Sequence, residues 1–96
     1  MQDERYTPLS DLAVNLRMLR RMCGKSRRVL AEITGIPDVE LAAIECGSVP
    51  VTHRTLRTLG RALGVQENVL LAEPAQVARF VAWAKGRPDE GYSQGK

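Results

Sequence analysis

Six basic residues fall between positions 17 and 28, and no acid interrupts them: Arg17, Arg20, Arg21, Lys25, Arg27 and Arg28. Guanidinium groups grip phosphate and carboxylate through a planar fork of N–H donors, so a run of arginines suits a polyanion. A second basic set follows at His53, Arg54 and Arg57. Between the two sets the balance inverts, because residues 36–47 carry Asp38, Glu40 and Glu45 and no basic residue. Other chemistry is poorly provided for. The chain has one histidine, His53, and two cysteines, Cys23 and Cys46, at no zinc-ligand spacing. A serine, a histidine and an aspartate are present, but no strand-turn-helix elbow raises a serine as a nucleophile. We expect no enzyme, no metal and no cofactor.

The chain that carries these residues has 96 positions, enough for one small core and too few for two. It is 44% apolar and 26% charged, the composition of a soluble globular domain. Its net charge is only +3, but 11 of the 14 basic residues are arginine, and residues 17–61 alone carry a local +5. No run of about 18 apolar residues exists, so no membrane span is expected. The first residues, Met-Gln-Asp-Glu-Arg-Tyr, are polar and hold no apolar signal region, so the expected location is cytoplasmic and no disulfide framework is expected.

Every element that positions the charges reads as a helix. Residues 1–9 read as a polar arm. Leu12, Leu16, Leu19 and Cys23 recur at four- and three-residue steps, one face of a helix that Ser10 caps and Gly24 stops. Ser26 starts a second helix, from Arg27 to Thr34, with Leu30 and either Ile33 or Thr34 inward and Gly35 as its end. A third follows at once, with Pro37 in its first turn, Asp38 and Glu40 near its positive end, Leu41 and Ile44 inward, and Gly47 as the stop. Thr52 caps a fourth helix built on Leu56, Leu59 and Leu63, and Gly64 stops it. A short fifth, Glu67 to Ala72, carries Leu70 and Leu71 and ends before Pro74. Residues 74–86 form a last amphipathic segment, and the Gly-rich, charged residues 87–96 read as a disordered tail. No period-two run of β-branched residues competes.

A second helix joined to a third by one glycine and a tight turn is the helix-turn-helix pattern, whose second member can enter a DNA major groove. Residues 16–71 resemble the Cro/repressor-type (XRE-like) DNA-binding domain. The resemblance rests on Leu16, Leu19-Arg20, Gly24, Ser26, Leu30-Ala31, Gly35-Ile36, Leu41, Ile44-Glu45, Gly47, Thr55-Leu56, Leu59, Ala62-Leu63-Gly64-Val65 and Leu70-Leu71, without an obvious insertion or deletion. It implies an all-α, five-helix, lambda-repressor-like fold over residues 10–73, with the C-terminal helix added. It also implies that Arg20 pairs with Glu45 as a structural tie. That pair has its own logic, because a carboxylate on the last turn of a helix is opposed by the dipole and an arginine offsets it.

The resemblance puts the start of the second helix on the phosphate backbone, which makes Lys25, Ser26, Arg27 and Arg28 the expected phosphate contacts; Arg27 stands where the family usually has Gln. His53, Arg54 and Arg57 would meet phosphate on the other side of the groove. The alternative for both sets is an ordinary solvated basic face. The outward residues of the third helix, Asp38, Val39, Glu40 and Ala43, are the base-reading candidates, and they are atypical, since family members usually offer Ser, Arg, Gln, Asn or Thr. A carboxylate has the cytosine amino group as its main base partner, and Val or Ala can touch a thymine methyl. The alternative is that Asp38 and Glu40 do no more than cap the helix.

The expected function is therefore a DNA-binding transcriptional regulator, acting as a homodimer on a pseudo-palindromic operator in double-stranded DNA. The acidic third helix keeps a second reading open, a helix-turn-helix used as an antitoxin-like or anti-activator protein-interaction module. Val77, Phe80, Val81 and Ala84 of the last segment either form the dimer seam or pack back on the domain. Cys23 and Cys46, each just before a helix-ending glycine, read either as two half-buried thiols or as a redox pair.

Overall fold

The structure is a computed structural model that describes residues 9–86. The proposed tail, residues 87–96, and all but the last residue of the proposed arm lie outside the described residues. Six helices follow in order: α1 (Leu9–Met22), α2 (Arg27–Thr34), α3 (Asp38–Glu45), α4 (His53–Leu63), α5 (Glu67–Leu70) and α6 (Pro74–Gly86). The described residues contain no strand, as the hydrophobic spacing requires.

Helix α1 is the centre of the packing. It lies against α3, α5 and α6, while α2 packs on α3 and α4, and α4 on α5. Its apolar face, Leu12, Leu16 and Leu19, is buried with Leu30, Leu41, Ile44, Leu56, Leu59, Leu63, Leu70 and Val77. Each leucine at a helical step thus removes its surface from water against another helix, the main favourable term in the fold.

Local chemistry sets the helix ends. Ser26 Oγ accepts from the Val29 N–H at 3.1 Å, and Thr52 Oγ1 does the same for Thr55 at 3.1 Å, so both expected caps are made. Gly35 ends α2 with φ 78°, and its N–H donates to the Ala31 carbonyl at 2.9 Å. An L side chain is strained there, so glycine is what permits the tight turn into α3. Inside α4, Gly60 meets a different demand. A Cβ at that position would lie 2.7 Å from the Val65 carbonyl oxygen, where the α4–α5 turn folds back over the helix.

Several expectations change. Ser10 lies inside α1, and Leu9, assigned to the arm, already belongs to that helix. On α2 it is Thr34, half-buried and bonded to the Leu30 carbonyl at 2.7 Å, that faces inward; Ile33 is exposed. On α5, which ends at Leu70 rather than Ala72, Leu70 is buried in the core with half-buried Val69 packed against it, and Leu71 just past the helix is exposed. Helix α6 folds back on α1, and Val77, 1% exposed, is in the domain's own core and not on a free seam. Phe80, Val81 and Ala84 are half-buried. Spacing on α6 alone could not tell a partner chain's face from α1.

Asn15 was not singled out in the sequence. It lies three residues after Leu12 and four before Leu19, on the buried face of α1, and is fully buried. Its amide donates to the Leu70 carbonyl at 2.9 Å and to the Ala72 carbonyl at 2.7 Å. Those carbonyls lie at the end of α5, where helical partners run out, so Asn15 ties α1 to the α5–α6 connection.

Candidate nucleic-acid interface

The helix-turn-helix pair, α2 and α3, is fastened from behind by α1. Arg20 holds Glu45 through two bonds, Nε to Oε2 at 2.6 Å and Nη2 to Oε1 at 3.1 Å. Both side chains are largely buried, 14% and 6% exposed. A third donor, Nη1, reaches the Lys25 carbonyl at 3.0 Å, and the Lys25 N–H donates to the Arg20 carbonyl at 3.1 Å. One guanidinium thus fixes the end of α3 and the approach to α2 together. Arg17, read in the sequence only as part of a basic run, donates from Nη1 to the Glu45 main-chain carbonyl. Two arginines of α1 therefore sit on the negative end of α3, where the dipole favours them.

With its rear held, α3 leaves one face open. Asp38, Val39 and Glu40 are exposed, Val39 at 78%, and Ala43 is half-buried. Pro37 precedes the helix without a side-chain cap, and its carbonyl accepts from the Glu40 and Leu41 N–H groups at 3.0 Å each. Asp38 makes no capping bond. It turns to α2, where its Oδ1 accepts from Arg27 Nε at 2.8 Å. This hydrogen bond, reinforced by the charge of the same carboxylate, raises the Arg27 pKa further above its already high ordinary value. Two residues expected to act separately, one on phosphate and one on a base, are therefore a pair.

The structure brings the first basic set together at the start of α2. Ser26 is engaged as the cap, Lys25 is half-buried, and Arg27 and Arg28 are exposed. The second set stands at the start of α4, and it too has a carboxylate that sequence reading missed. Glu67, first residue of α5, accepts from Arg57 Nε at 3.3 Å on Oε2, and its Oε1 lies 3.3 Å from His53 Nε2. Among the described residues no ion pair engages Arg28 or Arg54. The 10- and 14-residue separations to Glu67 follow no local pattern; only the fold of α5 against α4 closes them.

Cys23 is half-buried and its thiol donates to the Leu63 carbonyl at 3.4 Å, while Cys46 is exposed; both are free. No group of three or more His, Cys, Asp or Glu that could hold a metal occurs among the described residues. None of their helices is long and apolar enough to cross a membrane.

Comparison with known proteins agrees with this geometry. The chain is similar to a hypothetical transcription factor, NHTF, from Neisseria, with 26% identity and a TM-score of 0.70 over 83% of this chain and 91% of that one. No curated protein matches. The profile of a family described as a helix-turn-helix domain matches residues 11–73, from the first turn of α1 to the residue before α6. That match covers well over half of the sequence and contains all of the α2–α3 unit; the chain belongs to this helix-turn-helix family.

Proposed function

We propose that this chain is a sequence-specific transcriptional regulator of double-stranded DNA, a binding protein and not an enzyme, working in the cytoplasm. Residues 10–73 are its DNA-binding unit. Lys25, Ser26, Arg27 and Arg28 anchor one phosphate strand, and His53, Arg54 and Arg57 anchor the other. Helix α3 enters the major groove between them and presents Val39, Glu40 and Ala43 to base edges. The observation that carries this reading is the joint one: α3 is fixed on its inner side by Arg17 and Arg20, its outer face is open, and basic residues flank it. A rigid helix with a free outer face and cations on either side suits groove binding.

The active form is a homodimer on a pseudo-palindromic operator, as two-fold repressors usually are. Its seam involves the parts of Phe80, Val81 and Ala84 not covered by α1, with the adjoining Trp83, 58% exposed and 6.2 Å from Phe80 between ring centroids. One observation favours a second reading, a protein-interaction module. The outer face of α3 has no cation, and Val39 is exposed, as are Val29 and Ile33 of α2.

Selection from a random DNA pool, followed by a salt titration, separates the two readings. A regulator enriches a repeated half-site and loses affinity steeply as salt rises, with a log–log slope of about −0.9 per neutralised phosphate. No enrichment, and no binding at about 50 mM salt, overturns the DNA reading. Sedimentation with and without the selected site reads the dimer.

A further inference from the structure

Part of each basic set beside α3 is paired. Arg27 is held by Asp38, and Arg57 is held by Glu67, with His53 Nε2 3.3 Å from the other oxygen of the same carboxylate. The two carboxylates come from different helices, α3 and α5, and reach opposite basic sets, so the same arrangement is built twice.

We infer that Asp38 and Glu67 are specificity-determining counter-ions, which hold the flanking cations in fixed orientations and suppress binding to non-cognate DNA. The inference rests on the DNA reading above and deepens it. An arginine has five N–H donors, and Asp38 takes the one on Nε of Arg27. A phosphate that arrives in register can be met by the remaining Nη donors while the pair stays intact. A phosphate out of register requires the side chain to swing, which breaks the pair and leaves a carboxylate beside a phosphate. The same holds for Arg57, bound through Nε to Glu67. Each pair also cancels a charge that would otherwise attract any stretch of duplex, whatever its sequence. Asp38 is thus a positioning residue and not a reader of bases.

The test uses D38N, E67Q and the double variant. E32Q serves as control, because Glu32 is an exposed acid on α2 with no ion pair among the described residues. Arg27, Asp38 and Arg57 are exposed and Glu67 is half-buried, and circular dichroism melts check that each variant is folded. Affinity is measured by fluorescence anisotropy on a random-sequence duplex and on the selected site, from 50 to 200 mM salt. Each cation released to phosphate steepens the random-duplex slope by about 0.9, an extra loss of about 3.5-fold across that salt range. D38N and E67Q are expected to bind random duplex more tightly at 50 mM salt, with this steeper slope, while the ratio of selected-site to random affinity falls about threefold or more. E32Q is expected to leave slope and ratio near wild type. If wild type binds DNA but D38N and E67Q behave as E32Q does, the counter-ion inference is wrong and the DNA reading stands. If D38N relaxes preference at a single base position with no change of slope, Asp38 reads a base and the inference is again wrong. If wild type binds no DNA at 50 mM salt, both fall together.

Discussion

Replacing Arg20 with Met removes the guanidinium that binds both oxygens of Glu45 and leaves a carboxylate only 6% exposed against the core. Exposed ion pairs are worth about 0–1 kcal/mol, because water solvates either partner once the other is gone. Glu45 has no such recourse, and breaking a buried pair from one side costs about 3–5 kcal/mol. The Arg20 bond to the Lys25 carbonyl, which is part-buried, is lost as well. A domain of this size has a total stability of about 5–15 kcal/mol, so R20M consumes a large part of it. At about 4–8 °C per kcal/mol, a loss of 3 kcal/mol lowers Tm by about 12–24 °C. The assay is urea denaturation followed by circular dichroism, on wild type, R20M, E45Q and R20M/E45Q. E45Q keeps an amide in place of the charge and leaves Arg20 able to reach water, so it is expected to cost less than R20M. In the double variant no charge is stranded, and its loss should fall short of the summed single losses by about 1–3 kcal/mol. A cost for R20M under about 1 kcal/mol, or additivity within about 0.5 kcal/mol, would refute the idea that burial makes this tie strong.

Gly60→Ala is expected to destabilise by about 1–3 kcal/mol in a thermal melt, although helix propensity alone predicts a gain of about 1 kcal/mol; a rise in Tm would show that the 2.7 Å approach to the Val65 carbonyl is relieved without cost. Asn15→Leu strips the partners from the Leu70 and Ala72 carbonyls and should cost about 2–4 kcal/mol, with amide hydrogen exchange in α6 accelerating more than in α2; uniform acceleration would count against a local tie. Thr52→Ala removes the α4 cap and should cost about 1 kcal/mol in the same melts, and a neutral result would mean that water replaces the hydroxyl. R27A/R28A should weaken binding to every DNA sequence alike and flatten the salt slope by up to about 2; a change in base preference alone would move these arginines from phosphate to base contacts.

Helices α1 to α4 are readable because local chemistry closes them. Ser26 and Thr52 bond to an N–H three residues on, and Gly24, Gly35, Gly47 and Gly64 all take positive φ. The core was readable because leucines at three- and four-residue steps must face one way. The Arg20–Glu45 pair was legible through the resemblance to the Cro/repressor-type family, and dipole logic supports it. Asn15 was missed although its place among Leu12, Leu16 and Leu19 marked it as inward; a polar residue on an apolar face signals a buried partner, but not which one.

Residue order was enough to place the helices α1 to α6, most of the faces they bury and the basic residues on both sides of an acidic third helix. Tertiary structure alone decided how those charges are used. It set Asp38 on Arg27, gathered His53 and Arg57 on Glu67, placed Arg17 on the end of α3, and folded Val77 of α6 into the core. The physical reason is range. Capping and amphipathic periodicity act within one or two turns, and the residue types spell them out. An ion pair or side-chain hydrogen bond across 10 to 28 positions depends on where whole helices come to rest, and that is fixed by the packing of all of them around α1.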